Sequence, residues 1–247
     1  MKNFWNSKAK EDAQFYIATW RGYKNASLDG FFLSSQEALS YVPEAHFTLL
    51  PGQKMLEIGC GMGRMTYGFA QLFDEVHGVD VSGEMVKLAN KHLVKFNNIF
   101  ISENNGKDLK LYPDGMFNFV FSFIVFQHIP DKEVINNYIL EAARVMTGNG
   151  VFYFQVNGLP DHDISTNKPI LFIKRVYRKY FRKPIVTVRR KINRQPCGFE
   201  EPEWTGSNFS KEEISNLCSS AGLDVVNVTG ENSQYMWITA RKPSSYI

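Results

Sequence analysis

The sequence lacks a long apolar run, and it is poor in cysteine. No apolar stretch of its 247 residues reaches the roughly 20 residues that a membrane-spanning helix needs. The first residues mix lysine with glutamate and aspartate, without the apolar core of a signal peptide. Cys60, Cys197 and Cys218 are odd in number and widely spaced, which favours free thiols over disulfides or a zinc framework. We therefore predict a cytoplasmic protein without a transmembrane segment.

Internal repeats, low-complexity tracts and a strong net charge are also missing. The formal net charge of +3 is too small for this length to indicate binding to nucleic acid or to a membrane. Hydrophobic residues make up 44% of the chain and charged residues 21%, as in ordinary globular proteins. The length suits one large α/β domain and is too short for two enzymes in tandem.

From Leu56 onward, short apolar runs alternate with helix-length segments, which predicts βαβ units around a parallel sheet. Ser82 is a predicted helix N-cap, and a further helix is expected between Pro130 and Gly148. A helix over 210–221 should precede a hairpin formed by LDVVNV and QYMWITA. The fold class is therefore α/β, with seven strands, mostly parallel, a C-terminal antiparallel hairpin and helices on both faces. The first five strands are predicted at 54–58, 75–80, 98–102, 117–121 and 150–156.

We predict a single domain over residues 1–247 that has four segments. An aromatic-rich helical leader or lid (1–50) precedes a ligand-binding core (51–157). A basic insertion (158–209) follows the fifth predicted strand, beside the expected pocket, and is the expected substrate lid. A terminal helix and hairpin (210–247) complete the sheet.

A glycine-rich turn follows the first predicted strand. Gly59, Gly61 and Gly63 let the main chain turn sharply and let a ligand lie against bare backbone, while the next helix presents N–H groups. Asp80 lies 17 residues after Gly63, at the predicted end of the second strand. A carboxylate there can accept both hydroxyls of a ribose. The alternative is a plain strand-to-helix turn with an ordinary surface aspartate.

The glycine spacing separates two classes of ligand. A dinucleotide fingerprint, GxGxxG, needs a glycine where this chain has Arg64, so the match is to GxGxG. Preceded by Glu57, this form resembles motif I of the class I S-adenosylmethionine (SAM) dependent methyltransferases, which have a Rossmann-like fold. The resemblance covers about Gly52 to Val156. It continues through Val79-Asp80-Val81-Ser82, Asn105 to Leu109, Pro113-Asp114-Gly115, Phe119 to Ser122 and Arg144-Val145-Met146.

The resemblance implies SAM as the cofactor and assigns a role to most residues of the site. It implies that the loop of Glu57, Gly59, Cys60, Gly61 and Gly63 holds the amino acid part and that Asp80 holds the ribose. The remaining assignments are Val81 and Met85 on the adenine faces, Asn105 and Gly106 at the adenine edge, and Ser122 and Phe123 at the methionine end. For Asn105 and Gly106, a simple turn is an equal alternative.

Gln127 and His128 follow the fourth predicted strand, at the sheet edge where ligands bind in α/β folds. If the methyl acceptor is a hydroxyl, His128 is the candidate catalytic base, because its ordinary pKa lies near neutrality. The other interpretation is a histidine that only shapes the pocket or caps a helix. Gln127 is a candidate substrate contact, together with Tyr16 and Trp20 of the leader and Trp204 at the end of the insertion. For the leader aromatics, core packing is the alternative.

The insertion carries a predicted basic amphipathic helix over residues 169–183, and its positive charge extends to Arg194. This surface could bind an anionic substrate, a nucleic acid backbone or an acidic membrane surface, or it could be solvated. His162 lies between two aspartates, but one histidine with neighbouring acids is a weak ligand set, so we predict no metal site.

These patterns together predict methyl transfer from SAM to an oxygen or nitrogen of a small or medium-sized acceptor. The chain has Ser122-Phe-Ile-Val where methyltransferases of nucleic-acid adenine carry Asn/Asp-Pro-Pro-Tyr/Phe, which argues against that substrate. The alternatives are an RNA or protein substrate and a non-catalytic binding module of the same fold.

Overall fold

The structure is a computed structural model that describes residues 1–18, 27–40, 42–43, 52–159 and 206–244. Within these ranges seven strands form one sheet. They are β1 (Lys54–Ile58), β2 (Glu75–Asp80), β3 (Ile99–Glu103), β4 (Phe117–Ser122), β5 (Met146–Val156), β6 (Asp224–Thr229) and β7 (Met236–Arg241).

The helices of the described ranges lie before the sheet or between its strands. They are α1 (Lys2–Ala18), α2 (Leu28–Leu39), α3 (Arg64–Phe69), α4 (Gly83–His92), α5 (Lys132–Val145) and α6 (Lys211–Ser220). Ser82 and Ser210 cap α4 and α6 as predicted, since their hydroxyls accept from Met85 N and Glu213 N. No helix within the described ranges is long and apolar enough to cross a membrane.

The strand order is β3-β2-β1-β4-β5-β7-β6. Strands β1 to β5 pair in parallel, whereas β7 runs antiparallel to both β5 and β6. This arrangement confirms the predicted fold class. The chain order reverses between β1 and β4, and the carboxyl ends of strands at such a switch point are where α/β folds bind ligands.

Side chains alternate between two cores on the faces of the sheet. Leu56 and Ile58 of β1 point to the core that α5 and α6 cover. Met55 points to the opposite core, where it packs with Phe69 of α3. Because of this alternation, Glu57 also lies on the α3 side, at the end of a strand that is buried on both faces.

The boundary between α5 and β5 differs from the prediction. We expected the helix to continue to near Gly148 and the strand to begin at residue 150, but α5 ends at Val145 and β5 begins at Met146. Met146 is already paired with Phe117 of β4, so partners that are distant in sequence start the strand before the glycine.

Candidate functional site

A cavity opens at the carboxyl ends of β1, β2 and β4. Its empty volume, including the part that opens to solvent, is about 810 Å³. Most of its lining is apolar. The polar side chains that line it are those of Asp80, Asn104, His128, Tyr16 and Tyr138.

Asp80 lines this cavity at the end of β2. Its Oδ2 accepts from Gly61 N at 2.8 Å and its Oδ1 accepts from Ser82 N at 2.8 Å. Burial raises the pKa of this carboxyl from 3.8 to about 6, against the lowering effect of the two N–H donors. A carboxylate has about four acceptor positions, so each oxygen keeps capacity for a further donor.

Gly61 brings bare main chain to the cavity wall. Its φ of +56° is in the left-handed region, and a Cβ there would lie 2.6 Å from Cδ1 of Ile17. A larger residue would therefore displace the end of the Ile17 side chain and strain the backbone. The Gly61 N–H donates to Asp80, and the missing side chain leaves space in the cavity beside Gly61.

A second, smaller cavity lies next to the first and is lined by Glu57, Arg64 and Cys60, among others. Glu57 is only 4% exposed, and its Oε2 accepts from the Thr66 hydroxyl at 2.5 Å. Burial raises the pKa of Glu57 from 4.5 to about 7, although Thr66 and the Arg64 guanidinium both oppose the rise. Burial raises the pKa of the Cys60 thiol as well.

Helix α1 closes one side of the main cavity. Met1, Trp5, Tyr16 and Ile17 contribute to the lining. The helix is attached to the start of α4 through Asn6, whose Oδ1 accepts from Ser82 Oγ at 2.8 Å and from Glu84 N at 3.2 Å. The predicted helical leader therefore contacts the ligand cavity in its first part.

Comparison with known families identifies the domain around this cavity. A family described as a methyltransferase domain matches residues 56–154, which include β2 to β4 and most of β1 and β5. The chain carries a class I SAM-dependent methyltransferase domain. The cofactor of this family is SAM, as the resemblance of the glycine motif implied.

Individual relatives are more distant. The methyltransferase domain is similar to phosphoethanolamine N-methyltransferase 3 of Arabidopsis thaliana, with 35% identity over 88 residues, covering 35% of this chain and 18% of the relative. A ubiquinone biosynthesis O-methyltransferase of Albidiferax ferrireducens is 25% identical over 198 residues, 79% of this chain and 69% of the relative. A SAM-dependent methyltransferase structure from Aquifex aeolicus shares the fold, with TM-score 0.55 and 16% identity over 96% of this chain and 97% of that one.

The predicted cofactor residues of the methyltransferase domain divide into three groups. Several line the main cavity, namely Gly59, Gly61, Asp80, Val81, Met85, Gly106 and Phe123. Glu57 and Cys60 line the smaller one, which Gly59 and Phe123 border as well. Gly63 and Ser122 line neither cavity. Gly63 precedes α3, and the Ser122 hydroxyl donates to Ile58 O at 3.1 Å.

Asn105 is misplaced in the sequence prediction. It is exposed and accepts from Lys107 N and Asp108 N, in a local turn outside the cavity. The preceding residue, Asn104, is buried, lines the cavity and donates to the Tyr138 hydroxyl at 2.9 Å. The inward-facing asparagine is thus the one whose amide contacts Tyr138 of α5, a partner that is distant in sequence.

The residues that the sequence predicted to contact the methyl acceptor differ in whether they line the cavity of the methyltransferase domain. His128 lines the cavity, and its ring meets that of Trp5 edge-on with centroids 5.4 Å apart. Gln127 is buried behind His128 and does not belong to the lining. Tyr16 lines the cavity, while Trp20 and Trp204 lie outside the described residues, as do the basic segment 169–194 and His162.

Besides Asn104, sequence reasoning missed several residues of this site, among them Trp5, Ile17, Tyr138 and Arg64. Trp5 and Ile17 lie on α1, which contacts α4, whereas Tyr138 lies on α5 and Arg64 begins α3. Only Arg64 carried a signal, since it directly follows the glycine motif.

Proposed function

We propose that this protein transfers a methyl group from SAM to an oxygen or nitrogen of a small or medium-sized acceptor, leaving S-adenosylhomocysteine. The observation that supports it most is Asp80. Its carboxylate is held by two backbone N–H donors at the cavity wall and keeps acceptor capacity on both oxygens. This is the chemistry that a vicinal diol such as a ribose requires.

The rest of the main cavity suits the adenosyl group. Val81 and Met85 supply apolar surface directly after Asp80, where we place the adenine faces. Gly106 lies against Val81, and a Cβ there would come within 2.8 Å of Val81 Cγ2. We place the adenine edge at Gly106 and Asn104.

The smaller cavity suits the amino acid part of SAM. Glu57 and Arg64 carry opposite charges beside the bare backbone of Gly59, and a zwitterionic amino acid needs one acceptor and one donor group. A bound ammonium would favour the ionised form of Glu57 and lower its raised pKa. Glu57 and Cys60 thus remain part of the proposed cofactor site, and Gly63 and Ser122 support it from outside the two cavities.

SAM supplies an electrophilic methyl group on a sulfonium. The chain mainly has to align the acceptor with that group and exclude water. Helix α1 covers the cavity with Trp5 and Tyr16, and aromatic faces attract cations. The ring of His128 packs against Trp5 of this cover, and we propose that His128 contacts the acceptor, with Gln127 behind it.

The acceptor is proposed to be a small molecule. The Arabidopsis and Albidiferax relatives are named for phosphoethanolamine and for ubiquinone biosynthesis, one an N- and one an O-methyltransferase. An anionic acceptor, or contact with nucleic acid or a membrane surface, would use the basic segment 169–194 and remains a prediction. The cytoplasmic location is also a prediction.

Calorimetry with SAM, S-adenosylhomocysteine and NAD tests the proposal. Asp80→Ala should weaken SAM binding by about 1.5–3 kcal/mol, because a charged hydrogen bond to the ribose is lost. Asp114→Ala is the control, since the Asp114 carboxylate is exposed and pairs with Arg144. A screen of acceptors for release of S-adenosylhomocysteine then identifies the substrate.

Tight binding of NAD alone would refute the proposal. Absence of binding by all three compounds would instead favour a non-catalytic module. Unchanged affinity in Asp80→Ala would remove Asp80 from its role.

A further inference from the structure

A chain of side-chain hydrogen bonds runs behind the cavity from the sheet to the loop after β4. Gln155 of β5 is fully buried, and its Nε2 lies 2.8 Å from Gln127 Oε1, 2.9 Å from Val156 O and 2.6 Å from Gln234 O, so that its two N–H bonds are shared among three acceptor oxygens. Its Oε1 accepts from Ile124 N at 3.1 Å. Only one orientation of the Gln155 amide satisfies these neighbours, because a flipped amide would place oxygen against three oxygens.

The orientation of Gln155 determines that of the next amide. Gln127 Oε1 is the acceptor for Gln155, so Gln127 Nε2 is the atom that lies 3.3 Å from His128 Nε2. An amide nitrogen only donates, and the imidazole nitrogen must therefore accept with its lone pair. A neutral imidazole with this nitrogen unprotonated carries its proton on Nδ1.

We infer that Gln155 and Gln127 are positioning residues that hold His128 as the neutral tautomer protonated on Nδ1. His128 is 6% exposed, and Trp5 packs edge-on against the ring. Gly206 packs closely against the other side of the loop that contains Gln127 and His128, since a Cβ at Gly206 would lie 1.9 Å from Gln127 O. The ring is therefore contacted by Gln127 and by Trp5 of α1, and the loop that carries it is contacted by β5 and by the segment before α6.

This tautomer limits what His128 can do for the reaction, a consequence that rests on the proposed function. Nε2 is engaged by Gln127, and Nδ1 already carries a proton, so neither nitrogen takes a proton from the acceptor while the network is intact. His128 shapes and polarises the cavity wall. The acceptor atom must then be nucleophilic without a base, as a weakly basic nitrogen or an acidic hydroxyl is near neutral pH.

Nitrogen-15 NMR of the imidazole rings in the full-length protein tests the inference, because protonated and unprotonated ring nitrogens have well-separated chemical shifts. The chain has five histidines, and His128→Asn assigns the signal of interest. We expect Nδ1 protonated and Nε2 unprotonated in the wild type. Gln127→Glu replaces the donor by an acceptor of the same shape and should move a proton onto Nε2.

Gln234→Ala is the matched control, since Gln234 contributes only its main-chain oxygen, and it should keep the wild-type tautomer. A wild-type His128 that is protonated on Nε2 would overturn the inference, and so would a folded Gln127→Glu variant with the wild-type pattern. Should that variant fail to fold, the wild-type spectrum still decides. Failure of SAM to bind by calorimetry would refute the proposed function and leave the tautomer result standing.

Discussion

Replacing Glu57 by glutamine should remove a pH-dependent destabilisation of the fold. Burial raises the pKa of Glu57 from 4.5 to about 7. Between these two values the folded state holds a proton that the unfolded state has released, so stability falls as the pH rises through this window. Above pH 7 the folded protein keeps a buried carboxylate. The shift in pKa between the unfolded and the folded state corresponds to a loss of about 3 kcal/mol of stability above pH 7.

Glutamine has the same shape and can still accept the Thr66 hydroxyl, but it has no charge to bury. The variant should match the wild type near pH 4 and gain stability relative to it as the pH rises, reaching about 3 kcal/mol near pH 8. Urea unfolding of both proteins without cofactor, followed by circular dichroism from pH 4 to pH 8, measures this difference.

Glu75→Gln is the control of opposite sign. Glu75 is partly exposed, and hydrogen bonds from Lys54 and His77 lower the pKa of its carboxyl. Its stabilising effect is therefore present at neutral pH and is lost as the pH falls through the folded pKa, so this variant should lose stability at neutral pH. If the difference in unfolding free energy between Glu57→Gln and the wild type stays constant from pH 4 to pH 8, ionisation of the buried Glu57 carboxyl does not destabilise the fold, and the reasoning is refuted.

Three further substitutions test the packing around the site. Gly206→Ala should lower stability by more than the roughly 1–2 kcal/mol of left-handed strain, because its Cβ overlaps a backbone oxygen. Gly115→Ala is the control, since open space surrounds Gly115 and this variant should show the backbone strain alone. Equal losses of stability for the two variants in thermal melts would contradict the clash. Tyr138→Phe should cost about 1–3 kcal/mol in urea unfolding by leaving the Asn104 amide without its acceptor, and a neutral result would mean that water replaces the hydroxyl. Asn6→Ala should speed proteolysis within α1 because two hydrogen bonds to α4 are lost, whereas Asn6→Asp keeps an acceptor and should not; equal rates would disprove this attachment.

Local chemistry made much of the core predictable. The bounds of β1 and β2 match the prediction because each is a short segment that ends at a glycine turn or an aspartate. Ser82 caps α4 as expected, since a serine hydroxyl satisfies a free N–H at a helix start. These features depend on neighbours within a few residues along the chain.

The site was only partly predictable, since its members come from distant segments. Asn104 and Asn105 are adjacent in the sequence, and the partner of the inward-facing Asn104 amide is the hydroxyl of Tyr138 on α5, 34 residues away. The orientation of His128 depends on Gln155, 27 residues further on, through a second glutamine. Hydrogen-bond partners of this kind are contributed by the packed fold.

The sequence by itself determined the α/β class, the strand that carries the glycine turn, the acid at the end of β2 and, through them, the family of the cofactor. Periodicity, capping and turn chemistry operate over a few residues, so they can be recognised without a fold. The tertiary structure alone decided which side chains share the cavity, how far burial raises the pKa values of Glu57 and Asp80, and how α1 covers the opening. Desolvation and side-chain packing depend on what surrounds a group in space, and only the assembled sheet and helices supply those surroundings.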